Sequence, residues 1–170
     1  MYIQAERLRE LLEYNPNTGI FYWKEDRGNG RVGKVAGCLN SEGYWKIKVD
    51  LINYLAHRLA WFYMVGIWPK DQIDHINGTK TDNSWANLRE ATPTINTENV
   101  HKARKDNACG LLGVSYKKSC SSKHPWMSSI QVSGKRKRLG LFSTPEDAHI
   151  AYLKAKRELH AGYVPQVTII

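Results

Sequence analysis

The residues best suited to chemistry are concentrated in one stretch, from Asp74 to Asn99, which reads DHINGTKTDNSWANLREATPTINTEN. It combines an aspartate and a histidine with five asparagines, which are Asn77, Asn83, Asn87, Asn96 and Asn99. These side chains supply oxygen and nitrogen ligands but little apolar area. The stretch is either a polar loop of turn and capping residues or a metal-assisted hydrolytic site.

Phosphodiester hydrolysis is the reaction that this residue set fits. Histidine is the usual base for activating water, because its unperturbed pKa lies near neutrality. Aspartate and asparagine oxygens suit Mg²⁺, which keeps several waters and takes few protein ligands. Adjacent strand residues point to opposite faces, so Asp74 and His75 can share one site only where their strand ends or twists.

The elements that must position this stretch are predicted as strand, turn, strand and helix. The first strand spans Gln72–Ile76 and is followed by a turn at Asn77-Gly78; the second spans Asn87–Arg89. Thr92-Pro93 is typical of a helix start, and the helix is predicted to continue to about Lys105. That helix would place Asn96 and Asn99 on one face.

The residues before the stretch predict a helix and several strands. The predicted order is a short amphipathic helix over 3–13, a turn over 15–19, strands over 20–23, 44–49 and 52–54, and a buried helix over 55–65. His57 and Arg58 lie at the start of that last helix. His57 is either a packed or capping residue or, with Arg58, a contact to DNA phosphate from the helix N-terminus.

The C-terminal part predicts a small α+β unit. Strand-like pieces span 113–117, 126–133 and 138–142, and a helix with an apolar stripe begins near Pro145. Alternation along 126–132 turns Ser129 and Gln131 outward, together with flanking basic residues. A ribbon with such a polar and cationic outer face fits the DNA major groove.

Charge is distributed unevenly along the 170 residues. Residues 1–99 contain 12 Lys/Arg and 12 Asp/Glu, whereas residues 100–170 contain 13 and 4, so the net charge of +9 belongs to the C-terminal part. Such a basic surface attracts nucleic acid through counterion release. Three scattered cysteines, no signal peptide and no 18-residue apolar run predict a reducing, cytoplasmic setting without membrane insertion.

Several motifs together resemble the HNH nuclease family, in its phage and intron homing-endonuclease branch. They are His57-Arg58-Leu59, Asp74-His75-x-x-Gly78, Asp82-Asn83, Asn87-Leu88-Arg89 and Asn96-x-x-Asn99. The resemblance implies a ββα-metal fold in which His75 is the general base and Asn87 hydrogen-bonds its ring. It also implies that Asp74 and Asn96 hold one divalent ion, Mg²⁺ or Mn²⁺. No cysteine pair is available for the structural zinc that some relatives carry, so no zinc is expected.

The C-terminal part resembles the ethylene-response-factor DNA-binding domain of plant transcription factors. The resemblance covers about residues 110–163 and rests on Gly113-Val114, Trp126-x-Ser-x-Ile130, Leu139-Gly140-x-Phe142-x-Thr144-x-Glu146-x-Ala148, Ala151-Tyr152 and Gly162. It implies base and phosphate contacts from Ser115, Lys117, Ser129, Gln131, Arg136 and Arg138. Plant members carry arginine at several of these positions, so Ser115 and Gln131 imply a different target sequence.

The sequence therefore predicts an α+β protein with a ββα-metal core, an N-terminal β-rich extension and a three-stranded antiparallel sheet packed on one helix. The predicted ranges are 1–54 for the extension, 55–105 for the core, 106–112 for a linker and 113–170 for the DNA-binding domain. The predicted function is metal-dependent cleavage of double-stranded DNA by a phage homing endonuclease, monomeric or dimeric, in the host cytoplasm. The alternatives are an inactive HNH-fold DNA-binding regulator and an RNA-directed nuclease or binder.

Overall fold

The computed structural model describes residues 3–25, 30–117 and 123–165, and it divides by internal contacts into two units. The first unit ends at Thr92 and the second begins at Pro93. The predicted ranges, with boundaries after residues 54, 105 and 112, stay a prediction. Within the described ranges, no helix has the length and apolar character needed to cross a membrane.

The first unit opens with a helix and a hairpin. Helix α1 spans Ala5–Leu11, and strands β1 (Leu12–Asn15) and β2 (Ile20–Trp23) pair antiparallel. The predicted turn between them is confirmed, since the Asn15 side-chain oxygen accepts from the backbone N–H groups of Asn17 and Thr18. Strand β1 was not predicted, because its residues also continue the helical pattern of α1.

A three-stranded sheet follows, in the order β3 (Cys38–Leu39), β4 (Trp45–Val49) and β5 (Ile52–Leu55). The predicted pairing of the second and third strands is confirmed. Their turn uses two non-glycine residues in the left-handed region, Asp50 and Leu51, which matches the twist of a two-residue hairpin. Ile47 and Val49 are fully buried, so this face of β4 lies on the core.

Helix α2 and a second hairpin complete the first unit. Helix α2 spans Ala56–Val65, as predicted, and Gly66 caps it in the left-handed conformation. Strands β6 (Gln72–His75) and β7 (Leu88–Ala91) pair antiparallel, and a single 3-10 turn, Trp85–Asn87, leads into β7. The core under these elements is formed by buried aliphatic and aromatic side chains that include Leu8, Leu11, Phe21, Ile47, Leu59 and Ile73.

The second unit begins with helix α3, Pro93–Glu98, which is shorter than the predicted helix to Lys105. Three contacts hold the helix end and the residues after it to the C-terminal segment. The Gly162 N–H donates to Glu98, Val164 N–H donates to the Asn99 side chain, and the buried Lys156 ammonium donates to the Val100 carbonyl. These contacts replace the helical hydrogen bonds that a longer α3 would make.

The rest of the second unit is the predicted three-stranded sheet packed on one helix. Strands β8 (Val114–Tyr116), β9 (Trp126–Val132) and β10 (Lys135–Phe142) pair in the order β10-β9-β8, and helix α4 spans Pro145–Leu159. Thr144 caps α4 by accepting from the Asp147 N–H. Ile130 packs against Tyr152 and Ala155 of the helix. The predicted linker 106–112 is an ordered turn, in which the Asn107 amide donates to the Leu111 and Val114 carbonyls.

Candidate active site

Asp74 and His75 are the last two residues of β6. Two adjacent strand residues can contribute to one site only where the strand ends or twists, so this position is the one that a shared site requires. In the register of the hairpin, Asp74 faces Arg89 and His75 faces Leu88. The strand ends at once, because the Gly78 N–H turns back to the His75 carbonyl at 2.8 Å. Both side chains are buried. The end of β6 therefore presents a carboxylate and an imidazole side by side.

The His75 ring is enclosed by polar and aromatic groups of the first unit. Its Nε2 lies 3.0 Å from the Asn83 amide oxygen, and its centroid is 5.0 Å from that of His57 and 6.1 Å from that of Tyr44. Burial lowers the pKa of His75, while the hydrogen bond to Asn83 and the charges of Asp74 and Asp82 oppose that shift. His75 is therefore neutral near pH 7, the state in which an imidazole can accept a proton.

Asn83, rather than Asn87, contacts the catalytic histidine candidate. The Asn87 side chain instead accepts from the Asn77 N–H at 2.9 Å and donates to the Asp82 carbonyl at 2.7 Å. Asn87 also lies in the 3-10 turn before β7, not in the strand where it was predicted. The implied Asn87–His75 hydrogen bond is thus corrected: Asn87 organises the loop, and Asn83 holds the ring.

The Asn83 loop is fastened to the N-terminal hairpin. The Tyr14 hydroxyl donates to the Asn83 carbonyl at 2.7 Å, and the Trp85 N–H donates to the Pro16 carbonyl at 2.8 Å. Gly19 packs so closely that a Cβ there would lie 2.2 Å from the Asn83 carbonyl carbon. The hairpin therefore fixes the backbone that carries Asn83.

Asp82 is a second loop residue that the sequence did not single out for chemistry. Its carboxylate accepts from the Asn77 amide at 2.7 Å and from the Ser84 hydroxyl at 2.7 Å. Burial acts to raise the pKa of Asp82, but the hydrogen bonds from Ser84 and Asn77 outweigh it and the pKa is lowered. The ionised Asp82 closes the loop between β6 and β7. An Asp-x-Ser pattern, typical of a turn, was the available signal.

Asp74, the predicted metal ligand on β6, is oriented by Arg89. The guanidinium donates from Nε at 2.9 Å and from Nη2 at 2.8 Å to one carboxylate oxygen, Oδ2. No group of three or more His, Cys, Asp or Glu side chains within the described residues is arranged to hold a metal ion. Strand β6 thus offers one carboxylate as an oxygen ligand, and a single carboxylate suits a hard cation that retains waters in its coordination shell.

Asn96, the other predicted ligand, is half-buried in α3 of the second unit. Strands β6 and β7 and helix α3 follow one another along the chain in the strand–strand–helix order of a ββα motif. The metal pairing of Asn96 with Asp74 stays a prediction.

His57 and Arg58 occupy the first turn of α2, but neither side chain is fully exposed at the surface. His57 is 5% exposed, and burial together with His75 and Arg58 lowers its pKa to about 3. A buried neutral ring is poorly suited to the predicted phosphate contact, and its position corresponds to the packing interpretation. The half-buried Arg58 donates to the Asp71 and Pro69 carbonyls, which anchors the segment that enters β6.

The six predicted DNA contacts of the second unit belong to one face of its sheet. Cross-strand pairing aligns Arg136 with Gln131 and Arg138 with Ser129, and Ser115 with Met127 on the other side of β9. Lys117 follows β8 with the same alternation. Ser129 is covered by Arg136, whose Nε donates to its hydroxyl at 3.1 Å. The strand pairing places these residues on one face, but Ser129, predicted to point outward, is buried there. The DNA contacts of this face stay a prediction.

That face borders a groove of about 990 Å³ in the second unit. Ser115, Ser129, Gln131 and Arg136 line it, together with Arg104 from the predicted core range and Cys109 from the predicted linker. The sequence did not associate the 103–109 segment with the sheet face.

The site lies in a part of the chain that matches a known protein family. Residues 54–98 match the family described as HNH endonuclease, and the matched range includes His57, Asp74, His75, Asn87 and Asn96. Protein 3.8 of Escherichia phage T7 is 32% identical over 108 residues, which is 63% of this chain and 85% of that protein. No solved structure matches the chain. Residues 54–98 therefore form a domain of the HNH endonuclease family, and the chain is a relative of Protein 3.8 of Escherichia phage T7.

Proposed function

We propose that the chain is a metal-dependent endonuclease that hydrolyses phosphodiester bonds in double-stranded DNA at a recognised site, as a phage homing endonuclease does. The observation that carries the proposal is His75 itself. It is a buried, neutral imidazole at the end of a strand, oriented by Asn83 and adjacent to the Asp74 carboxylate.

The contact with Asn83 supports Nδ1 as the ring nitrogen that would act. An amide oxygen only accepts hydrogen bonds, so the His75 Nε2 facing Asn83 Oδ1 carries the hydrogen. The lone pair is then on Nδ1, which takes the proton from the attacking water. The His57 and Tyr44 rings beside His75 limit its rotation.

The proposed cofactor is one divalent ion, Mg²⁺ or Mn²⁺, held by Asp74 and Asn96. When bound, it supplies charge stabilisation to the phosphorane and the leaving oxygen. Arg89 fixes the Asp74 carboxylate through Oδ2. Two protein oxygens with water completing the shell is an arrangement that Mg²⁺ accepts.

Recognition of DNA is assigned to the second unit. Its cationic sheet face, with Arg136 and Arg138 exposed on β10, attracts the phosphate backbone, while Ser115 and Gln131 supply polar groups that adapt to base edges. A monomer with one such active site nicks one strand, and a dimer would cut both.

An inactive DNA-binding regulator is the second candidate, favoured by the engagement of Asp74 Oδ2 with Arg89. In such a protein the ion pair would be purely structural and would leave no role for a metal ion.

Cleavage of DNA distinguishes the two candidates. Incubation with a phage genome fragment and Mg²⁺ or Mn²⁺ is expected to give nicks or breaks at defined positions. His75→Ala is expected to abolish cutting while duplex binding is unchanged, because the base is lost and the sheet face is intact. The exposed His124→Ala is the matched control and is expected to cut like the parent. Duplex binding without cutting by any divalent ion would favour the regulator.

A further inference from the structure

A second cationic surface lies on the first unit, away from the β6–β7 hairpin in sequence. A concavity of about 340 Å³ is formed by the outer face of the β3–β4–β5 sheet and the segment before β3. Among the residues that the structure describes, four cationic side chains line it and no carboxylate does. We call this surface the basic groove and define it by Arg31, Lys34, Lys46 and Lys48.

The four cations of the basic groove are available for an external anion. Ion pairs between described residues use Arg7, with Glu10, Glu25 and Asp50, and Arg89 with Asp74; none uses a groove cation. Several carboxylates of the unit are thus committed elsewhere, as is Asp82 inside its loop. The equal numbers of acidic and basic residues in 1–99 conceal this separation.

The basic groove is connected to the active-site candidate along one strand. Lys46 and Lys48 alternate on β4 with the buried Ile47 and Val49, so they share the outer face. Tyr44 precedes Lys46 by two residues and continues that alternation, and its ring lies 6.1 Å from the His75 ring. The Lys80 ammonium lies 4.4 Å from the centroid of the Tyr44 ring and adds a further cation there.

Strand geometry gives the span of this connection. Four residues of extended chain, from Tyr44 to Lys48, cover about 13 Å. The same length corresponds to about four base pairs of duplex at about 3.4 Å each. A backbone cleaved at His75 would therefore pass over the groove lysines about four nucleotides from the cut.

We propose that the basic groove binds the phosphate backbone of duplex DNA on one side of the scissile bond. The placement relative to the cut rests on the proposed function, whereas the phosphate binding does not. Arg31, Lys34 and Lys48 are exposed and Lys46 is half-buried. Such cations on a concave face whose described lining holds no carboxylate match the charge of a polyphosphate backbone and would contact it without reading bases.

The test compares two double variants of the full chain. Lys46→Gln with Lys48→Gln removes two groove charges; Lys154→Gln with Arg157→Gln removes two exposed charges from α4 and is the control. Duplex affinity is measured over a range of salt concentrations, and the bound segment is mapped by hydroxyl-radical footprinting. The groove variant is expected to reduce the salt slope by about 2, since each lost phosphate contact removes about 0.9. Its footprint is expected to shorten by about four base pairs on one side.

The outcomes separate this proposal from the proposed function. Binding and footprint need no cutting, so they decide the role of the groove even if the parent protein cleaves nothing. A slope and footprint equal to those of the control would overturn the groove proposal and leave the endonuclease proposal standing. Loss of affinity for single-stranded RNA with unchanged duplex affinity would overturn it in favour of an RNA surface. Equal thermal unfolding of both variants is the check on folding.

Discussion

At the scale of single residues, the protonation state of His75 is set by opposing neighbours. Burial lowers its pKa below 6.5, and the hydrogen bond with Asn83 and the charges of Asp74 and Asp82 raise it. In the proposed mechanism the neutral form acts as the base, so the cleavage rate is expected to fall as pH decreases through the folded pKa. Asn83 is the neighbour whose substitution separates orientation from charge.

Two different substitutions of Asn83 are therefore expected to shift the acid limb of the pH–rate profile, where the cleavage rate falls with decreasing pH, in opposite directions. Asn83→Asp places a carboxylate at Nε2, which raises the pKa of His75 and shifts the limb to higher pH. Asn83→Ala removes a contact that raises the pKa, so the limb shifts to lower pH, and loss of orientation lowers the rate by about 10–100-fold. Single-turnover cleavage rates between about pH 5 and about pH 9 measure both effects.

The control for this charge change is Asn17→Asp in an exposed turn, which should leave the acid limb in place. If Asn83→Asp behaves like Asn17→Asp, Asn83 does not contact the proposed catalytic base.

At the scale of elements, the β1–β2 hairpin supports the loop between β6 and β7 that carries Asn83. Gly19 has a φ of +72°, and a Cβ there would overlap the Asn83 backbone. Gly33 has the same φ but nothing within 4 Å of its Cβ position, so Gly33→Ala is a matched control for backbone strain. Gly19→Ala is expected to be destabilised by about 1–3 kcal/mol beyond that control, because the loop must move. Thermal unfolding and cleavage rate of both variants test it.

Two results would contradict the idea that the β1–β2 hairpin holds the Asn83 loop in place. Equal stability and equal cleavage of the Gly19 and Gly33 variants would show that the close approach is unimportant. Tyr14→Phe, which removes the hydroxyl bonded to the Asn83 carbonyl, is expected to lower the free energy of unfolding by about 1 kcal/mol. An unchanged value would show that this hydrogen bond contributes nothing to holding the loop.

These contacts also explain what the sequence could predict. The Asp74-His75 pair, the flanking strands and the helix–sheet unit follow from local patterns of alternation, turn residues and capping. The choice of Asn83 over Asn87 as partner of His75 does not, because it depends on Tyr14, which is 69 positions from Asn83 in the chain. Local patterns also could not predict the length of α3, because the Gly162 and Val164 N–H groups donate to Glu98 and Asn99 at the end of the helix.

At the scale of the whole molecule, basic side chains form separate surfaces that the net charge of each part of the chain does not reveal. The excess of basic residues after position 99 predicted one DNA-binding surface, and the sheet face of the second unit corresponds to it. The balanced first part nevertheless carries the basic groove. If both surfaces bind DNA as proposed, their contributions are expected to be separable by the salt dependence of variants in each.

The sheet face of the second unit is tested by Arg136→Ala and Arg138→Ala. Each substitution is expected to reduce the salt slope of duplex binding by about 1 and to weaken binding, because one phosphate contact is lost. Arg136→Ala also uncovers the Ser129 hydroxyl, so it is expected to alter sequence preference more than Arg138→Ala does. Titration of target and unrelated duplexes at several salt concentrations measures both quantities, with Lys154→Gln as the control. Unchanged affinity in both arginine variants would remove DNA binding from this face and leave the basic groove as the primary contact.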